Sequence, residues 1–388
     1  MKKQFILFLI IILLPISFVR AEEYDDLNLG KSAKSVVLME ASTGQIIYKR
    51  NENEKLHPAS MTKMMSMLLI IESIEKGNLK WSDMVTASEN ASGMGGSQIL
   101  LETGEKMTVD ELFKGIAIAS GNDAVVALAE KVAGTEEVFV KMMNDKAREL
   151  GLRNTNFKNP HGLDATDHYS SAYDMALIAK ELVKHKKVLE YSSIYEYYLR
   201  EGTDRKTWLV NTNKLVRFYD GVDGLKTGYT KEAGYCLTAT AVKNNMRIIA
   251  VVMGEPDSKT RNKEVSELLD YAYAQYGLDI IINSNKVLGK RIVNKGKQKY
   301  AEIVLKEDAT KLIKKGEKSK NITYEINVKD LVAPLKKGDI VGTLILKEED
   351  KKLKEIDITI NENIEKANFL DLYLRNIKEV MTGEINIK

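Results

Sequence analysis

From residue 61 to residue 74 the chain is apolar on nearly every helical face, with Met61, Met64, Met65, Met67, Leu68, Leu69, Ile70 and Ile71 leaving no polar stripe. A helix apolar all round is a buried one. The segment is therefore predicted as a central core helix, opened by Pro58, with Ser60 at its N-terminus. Residues 35–40 and 44–49 read as two short strands joined by the turn Ala41-Ser-Thr-Gly44. Farther on, apolar positions return at helical spacing over 109–119, 124–133, 136–150 and 171–184. The first two of these helices flank a break at Ser120-Gly-Asn122.

Beyond Leu209 the period changes to two. Residues 221–228, 234–242 and 246–254 are predicted as adjacent antiparallel strands, followed by a helix over 263–276. The early hairpin and these strands can share one sheet, with the helical middle packed against it, which is an α+β arrangement. From about residue 282 short strand-like runs (300–305, 322–326, 340–346, 356–360) alternate with charged turns, as in a small all-β domain. A last helix, 367–381, places Leu370, Tyr373, Leu374, Ile377 and Met381 on one face, widened by Phe369, Leu372 and Val380. Such an arc suits docking on its own domain or lying in a membrane interface, and the interfacial anchor is the expectation.

Composition adds limits. At 388 residues the chain suits two domains plus appendages. Lys2 and Lys3, an apolar run over 5–19 and Val19-Arg20-Ala21 form the layout of a secretory signal peptide. The expected division is thus 1–21 signal peptide, 27–281 larger domain, 282–362 all-β domain and 363–388 amphipathic helix. An exported protein is expected, either secreted to the cell wall or peripheral on the outer face of the cytoplasmic membrane.

Loss of Lys2, Lys3 and Arg20 takes the formal charge from +3 to zero. No nucleic-acid footprint remains. Residues 283–320 nevertheless carry 12 Lys or Arg against 4 Asp or Glu, either a solvated surface or a contact for an anionic envelope. Cys236 is the sole cysteine, so no internal disulfide can form. The four histidines lack metal-ligand spacing, and neither metal nor cofactor is expected.

Candidate chemistry rests on order and context. Ser-x-x-Lys occurs at Ser60/Lys63 and again at Ser73/Lys76; Ser-x-Asn occurs at Ser88/Asn90, Ser120/Asn122 and Ser319/Asn321. Lys-Thr-Gly occurs once, at Lys226-Thr227-Gly228. Only Ser60/Lys63 opens the buried helix, only Ser120/Asn122 lies in a helix break, and Lys226 ends a strand. A serine hydroxyl needs a base to take its proton, and residues three apart on a helix share a face. Burial beside a second cation at Lys226 makes Lys63 less basic. Ser120 is expected to bridge the two lysines, and Asn122 to hold Lys63 or a substrate amide. The backbone N–H groups of Ser60 and Tyr229 are expected to meet a developing oxyanion.

These three elements resemble the Ser-x-x-Lys, Ser-x-Asn and Lys-Thr-Gly set of penicillin-binding proteins. With Pro58-Ala-Ser-Met-Thr-Lys63, His161-Gly-Leu-Asp164, Asp223-Gly-Leu-Lys-Thr-Gly228 and the segment 333–342, the chain looks like a low-molecular-mass D-alanyl-D-alanine carboxypeptidase. The resemblance implies a penicillin-binding, serine β-lactamase-like catalytic domain that removes the terminal D-alanine from peptidoglycan stem peptides. It also implies acylation of Ser60 by β-lactams. It places Arg261, with Thr227, at the substrate's terminal carboxylate, which a guanidinium grips with paired hydrogen bonds. Tyr229 stands where some members carry histidine, and Cys236 reads as a packed strand residue. A class A β-lactamase would need a Glu–Asn pair before the third strand, and none lies between Gly151 and Asp223. A D,D-endopeptidase acting on crosslinks and a non-catalytic β-lactam sensor or wall-binding protein remain as alternatives.

Overall fold

The structure is a computed structural model that describes residues 27–317 and 321–382; the expected signal peptide, 1–21, lies outside the described residues. In chain order the larger domain runs β1 (Ser35–Glu40), β2 (Ile46–Arg50), a 3-10 turn (Ala59–Thr62), α1 (Lys63–Glu75), β3 (Met84–Thr86), α2 (Glu89–Ser92), β4 (Lys106–Thr108), α3 (Val109–Ala119), α4 (Asn122–Ala133) and α5 (Glu136–Glu149). It continues through α6 (Ala172–Leu182), α7 (Lys186–Ser192), β5 (Glu196–Leu199), β6 (Thr207–Val210), α8 (Leu215–Phe218), β7 (Val222–Thr230), β8 (Gly234–Lys243), β9 (Met246–Glu255) and α9 (Ser258–Gln275).

One antiparallel sheet in the order β2-β1-β9-β8-β7 organises this domain. Because side chains alternate along a strand, the sheet feeds two cores. Val37, Met39, Ile249 and Val251 join α1, α3, α4 and α6 on one face. Val36, Leu38, Ile248 and Val252 meet Val265, Leu268 and Leu269 of α9 on the other. This double cover explains why β1 is buried at all six positions. It also leaves β7 at the sheet's outer edge, where it approaches the turn carrying Ser60.

The second domain comprises β10 (Tyr276–Ile282), β11 (Gly289–Asn294), β12 (Tyr300–Leu305), β13 (Ala309–Lys314), β14 (Ile322–Val328), β15 (Leu331–Val332), β16 (Ile340–Glu348) and β17 (Lys351–Ile360), followed by α10 (Phe369–Thr382). Its six-stranded sheet has the order β14-β16-β17-β12-β11-β15, and β10 pairs separately with β13. The connection between domains is thus a strand, and the expected boundary at 281/282 falls within β10. Four strands were legible from alternation; β10, β11, β13 and β15 were not.

Two of the helix starts that differ from expectation bear on candidate residues. The last helix of the larger domain begins at Ser258 rather than 263, because Asp257 caps it, its Oδ1 accepting the Lys259 and Thr260 N–H groups at 2.8 Å. Arg261 consequently lies in the first turn of α9. Helix α4 starts at Asn122 rather than 124, since the Asn122 N–H finds the Ser97 carbonyl at 2.7 Å.

Three lysines of the basic stretch 283–320 pair with acids from elsewhere in the fold. Lys297 pairs with Glu365, Lys306 with Asp357 and Lys311 with Glu348.

Candidate active site

The turn that carries Ser60 is held in a strained shape. Ala59 has φ +47°, a left-handed conformation that costs a non-glycine residue roughly 1–3 kcal/mol and persists only where its surroundings impose it. Two glycines crowd it. A Cβ on Gly162 (φ +90°) would lie 1.9 Å from the Ala59 carbonyl oxygen. One on Gly228 of β7 would lie 2.8 Å from the Pro58 carbonyl oxygen and 3.1 Å from the Ala59 Cβ. From below, His168 Nδ1 accepts the Lys158 N–H at 3.0 Å, so Nε2 carries the proton and donates to Thr62 Oγ1 at 2.9 Å. Ser66 Oγ donates to the Pro160 carbonyl at 2.7 Å. The loop 157–164 is thereby fastened under the turn.

Lys63 opens α1 and is fully buried. Its Nζ donates to Ser60 Oγ at 2.9 Å and to the His161 carbonyl at 2.6 Å. Burial first, and then the Lys226 cation, hold its pKa well below the ordinary lysine value, with Asp123 opposing. Lys226, on β7, donates to the Thr227 carbonyl at 2.9 Å and is pushed down to about 7 by burial and by Arg261. It therefore gives up its proton more readily than an ordinary lysine.

Ser120 closes α3 in a left-handed conformation, φ +64°. Its hydroxyl makes no hydrogen bond with another described residue, so the bridge between the lysines expected from sequence is not formed here. The reason is that each ammonium is already turned to a backbone carbonyl. Asn122 likewise does not hold Lys63: its Nδ2 donates to the Gly95 carbonyl at 2.6 Å, and its buried Oδ1 has no partner. That oxygen is an open acceptor.

Arg261 is 5% exposed and bonds only to Asn262 Oδ1, from Nε at 3.1 Å and Nη2 at 2.9 Å. Among the described residues no carboxylate forms an ion pair with it. Thr227 Oγ1 donates to Thr212 Oγ1 at 2.7 Å. The ring of Tyr229, 56% exposed, lies 4.3 Å from that of Tyr235. Cys236 is buried behind the strand, and burial pushes its thiol up to about 11.

The decoys land elsewhere. Lys76 pairs with Glu72 at the surface, and Ser88 Oγ caps α2 by accepting the Ala91 N–H at 3.0 Å. Ser319 lies outside the described residues.

Two supporting residues were given no role by the sequence reading. Asp123 accepts the Ile99 and Leu101 N–H groups at 3.0 Å, which ties the 95–101 loop to α4. Arg200 grips Glu105 through Nε at 2.6 Å and Nη2 at 3.1 Å, and donates to the Ile99 carbonyl at 3.0 Å. A Ser–Lys pair with the lysine buried, beside a second lysine of lowered pKa and a guanidinium that forms no ion pair among the described residues, can perform acyl transfer on a substrate that ends in a carboxylate. Among the described residues no group of His, Cys, Asp and Glu gathers to hold a metal.

Residues 23–257 match the family model for D-alanyl-D-alanine carboxypeptidase, and residues 278–366 match that for the C-terminal domain of penicillin-binding protein 5. The chain is 52% identical over 364 residues to the D-alanyl-D-alanine carboxypeptidase DacF of Bacillus subtilis, covering 94% of each chain. Its fold is similar to penicillin-binding protein 5 from Haemophilus influenzae, at TM-score 0.68 and 32% identity, over 86% of this chain and 98% of that one. It is also similar to cefotaxime-bound penicillin-binding protein D2 from Listeria monocytogenes, at TM-score 0.57 and 28% identity, over 62% of this chain and 97% of that one.

Proposed function

Because the chain belongs to the D-alanyl-D-alanine carboxypeptidase family, we propose that it removes the terminal D-alanine of peptidoglycan stem peptides through an acyl-enzyme on Ser60. Lys63, its basicity lowered by burial, takes the Ser60 proton as Oγ attacks the carbonyl carbon of the penultimate D-alanine. The oxyanion is met by the backbone N–H groups of Ser60 and Tyr229. Ser120 gives its proton to the departing amine and takes up the one held by Lys63, which returns Lys63 to the neutral amine, and Asn122 Oδ1 accepts a substrate amide N–H. Water then attacks the ester, gives its proton to Lys63, and Ser60 leaves as a hydroxyl.

The observation that carries the exo-acting reading is Arg261, a buried cation that forms no ion pair among the described residues and whose charge acts on Lys226. A free C-terminal carboxylate supplies the missing anion, and burying such a charge unpaired is costly. Thr227 adds a hydroxyl to the same carboxylate, with Gly228 leaving room for the strand to reach the turn. β-Lactams acylate the same serine on this reading, in keeping with the cefotaxime-bound relative.

Incubation with diacetyl-lysyl-D-alanyl-D-alanine should release free D-alanine. No release, while labelled penicillin still marks Ser60, would favour a sensor instead. Replacing Arg261 by Ala is expected to lower kcat/KM on this peptide roughly 10- to 100-fold, the worth of a charged hydrogen-bonded pair. Penicillin acylation should fall less; equal losses would remove the carboxylate role.

We further infer export, followed by peripheral attachment at the outer face of the membrane. Among the described residues no helix is long and apolar enough to cross a bilayer. Helix α10 instead exposes Phe369, Leu370, Leu374, Val380 and Met381, with Phe369 84% and Met381 82% accessible. Its attachment to the β domain includes a bond from Arg375 Nη1 to the Gly296 carbonyl at 2.8 Å. A one-sided apolar helix of this kind lies in a membrane interface. Truncation after Asn363 should shift the protein from the membrane to the soluble fraction, and unchanged fractionation would exclude the anchor.

A further inference from the structure

The hairpin formed by β5 and β6 has one face buried and one face open. Leu199 and Leu209 point into the core, whereas Tyr198 is 42% and Trp208 58% exposed. The two aromatic residues are direct cross-strand partners. Their rings are nearly parallel, 19° apart, with centroids separated by 6.5 Å. Glu196 accepts the Trp208 indole N–H at 3.1 Å, and the Lys206 ammonium lies 4.2 Å from the Tyr198 ring centre. The result is a pair of parallel, half-exposed rings with the Glu196 carboxylate on the indole N–H and the Lys206 ammonium over the tyrosine ring.

This surface is fastened to both walls of the active site. On one side Arg200, which follows β5, donates to the Ile99 and Leu100 carbonyls at 3.0 and 3.2 Å. These residues belong to the loop whose Gly95 carbonyl holds Asn122. On the other side the Tyr195 carbonyl accepts the Asn211 N–H at 2.7 Å, and the next residue, Thr212, is bonded to Thr227. Along an extended strand Tyr195 to Tyr198 is about 10 Å.

Taking the carboxypeptidase reading above as given, we propose that the Tyr198–Trp208 face is a subsite for the amino-sugar glycan to which the stem peptide is attached. The far end of the peptide must carry its sugar some distance from Ser60. An extended peptide of about five residues spans up to about 17 Å, which sets the greatest distance from the active site at which its sugar can sit. A pyranose ring has a C–H face that packs on aromatic rings, and a polar rim whose hydroxyl and acetamido groups suit Glu196 and Lys206. Neither a bare peptide nor a lipid calls for a parallel pair of rings edged by both charges.

The test compares kcat/KM on a free stem pentapeptide with that on the same pentapeptide carrying an N-acetylglucosaminyl-N-acetylmuramyl disaccharide. The wild type should favour the glycosylated form by about three- to tenfold, the range expected for aromatic packing. Trp208→Ala should bring this ratio to about one while leaving turnover of the free peptide unchanged, and Trp208→Phe should restore part of it. Cross-strand stacking also stiffens the hairpin, but loss of stiffness alone would lower both substrates together.

A direct reading is available because the chain has only two tryptophans, and Trp81 is packed edge-on against Phe113 and Tyr191. Titration with chitotetraose should therefore change the fluorescence of Trp208, and the change should vanish in Trp208→Phe. Equal wild-type kcat/KM on the two substrates, or equal losses in Trp208→Ala, would overturn the subsite. Failure of the wild type to cleave the free pentapeptide would overturn the carboxypeptidase reading instead.

Discussion

Replacing Lys63 by methionine is expected to slow acylation of Ser60 by about 10²- to 10⁴-fold, the usual contribution of a positioned general base. The geometry behind this figure is the 2.9 Å bond from the fully buried Lys63 Nζ to the partly buried Ser60 Oγ. Methionine keeps much of the length and volume, and it removes a charge whose burial is unfavourable. The variant should therefore fold. Two pH effects follow from the lowered pKa of Lys63. Wild-type acylation should rise with pH as the amine loses its proton and level off well below the ordinary lysine range, whereas the variant should lack this limb.

For stability the sign is also fixed. Between the folded and unfolded pKa values of Lys63 the unfolded chain binds more protons, so wild-type stability rises with pH across that window. The stability difference between methionine variant and wild type should shrink accordingly. Stopped-flow acylation by a labelled penicillin and urea unfolding at several pH values measure these effects. An acylation rate within tenfold of the wild type would remove Lys63 from the role of base.

Replacing Gly162 by alanine should damage both folding and turnover, although residue 162 carries no reactive group. The added Cβ would lie 1.9 Å from the Ala59 carbonyl oxygen, at a backbone φ of +90° that suits glycine. Relief requires the nucleophile turn or the 157–164 loop to move by roughly 1 Å, a displacement that can cost about 100-fold in rate. The same loop supplies the His161 carbonyl that holds Lys63, so the base would move with it. A destabilisation of more than about 2 kcal/mol is expected from the strained backbone. Thermal unfolding and penicillin acylation of the variant check this pair of effects. An unchanged melting temperature with acylation within twofold of wild type would show that the contact yields freely.

Much of the fold was open to reading along the chain. The core helix was visible because Met61 to Ile71 leave no polar face, and the antiparallel strands β7, β8 and β9 because their apolar runs are long and close together. Strands β11 and β13 escaped because their lysines interrupt the alternation. Those lysines are accommodated by acids from distant strands, as in the pair Lys311–Glu348, which no local window can reveal. The start of α9 was misplaced because Asp257 is an ordinary loop residue until its side chain turns to cap the helix.

The candidate site divides in the same way. Ser60, Lys63, Ser120, Asn122 and Lys226 were identifiable from order and context, since decoys such as Ser73 and Ser88 failed on position within the pattern. The sequence by itself determined which residue types are available for acyl transfer and which of them lie at the ends of buried elements. It did so because periodicity and spacing are local properties of the chain. Only the tertiary structure decided that Arg261 forms no ion pair among the described residues, that Asn122 Oδ1 is left open, and that Gly162 and Gly228 press on the Ser60 turn. The two glycine contacts depend on distances between segments about 100 residues apart or more. A buried charge or a close approach exists only once the folded chain has excluded water and brought such segments together.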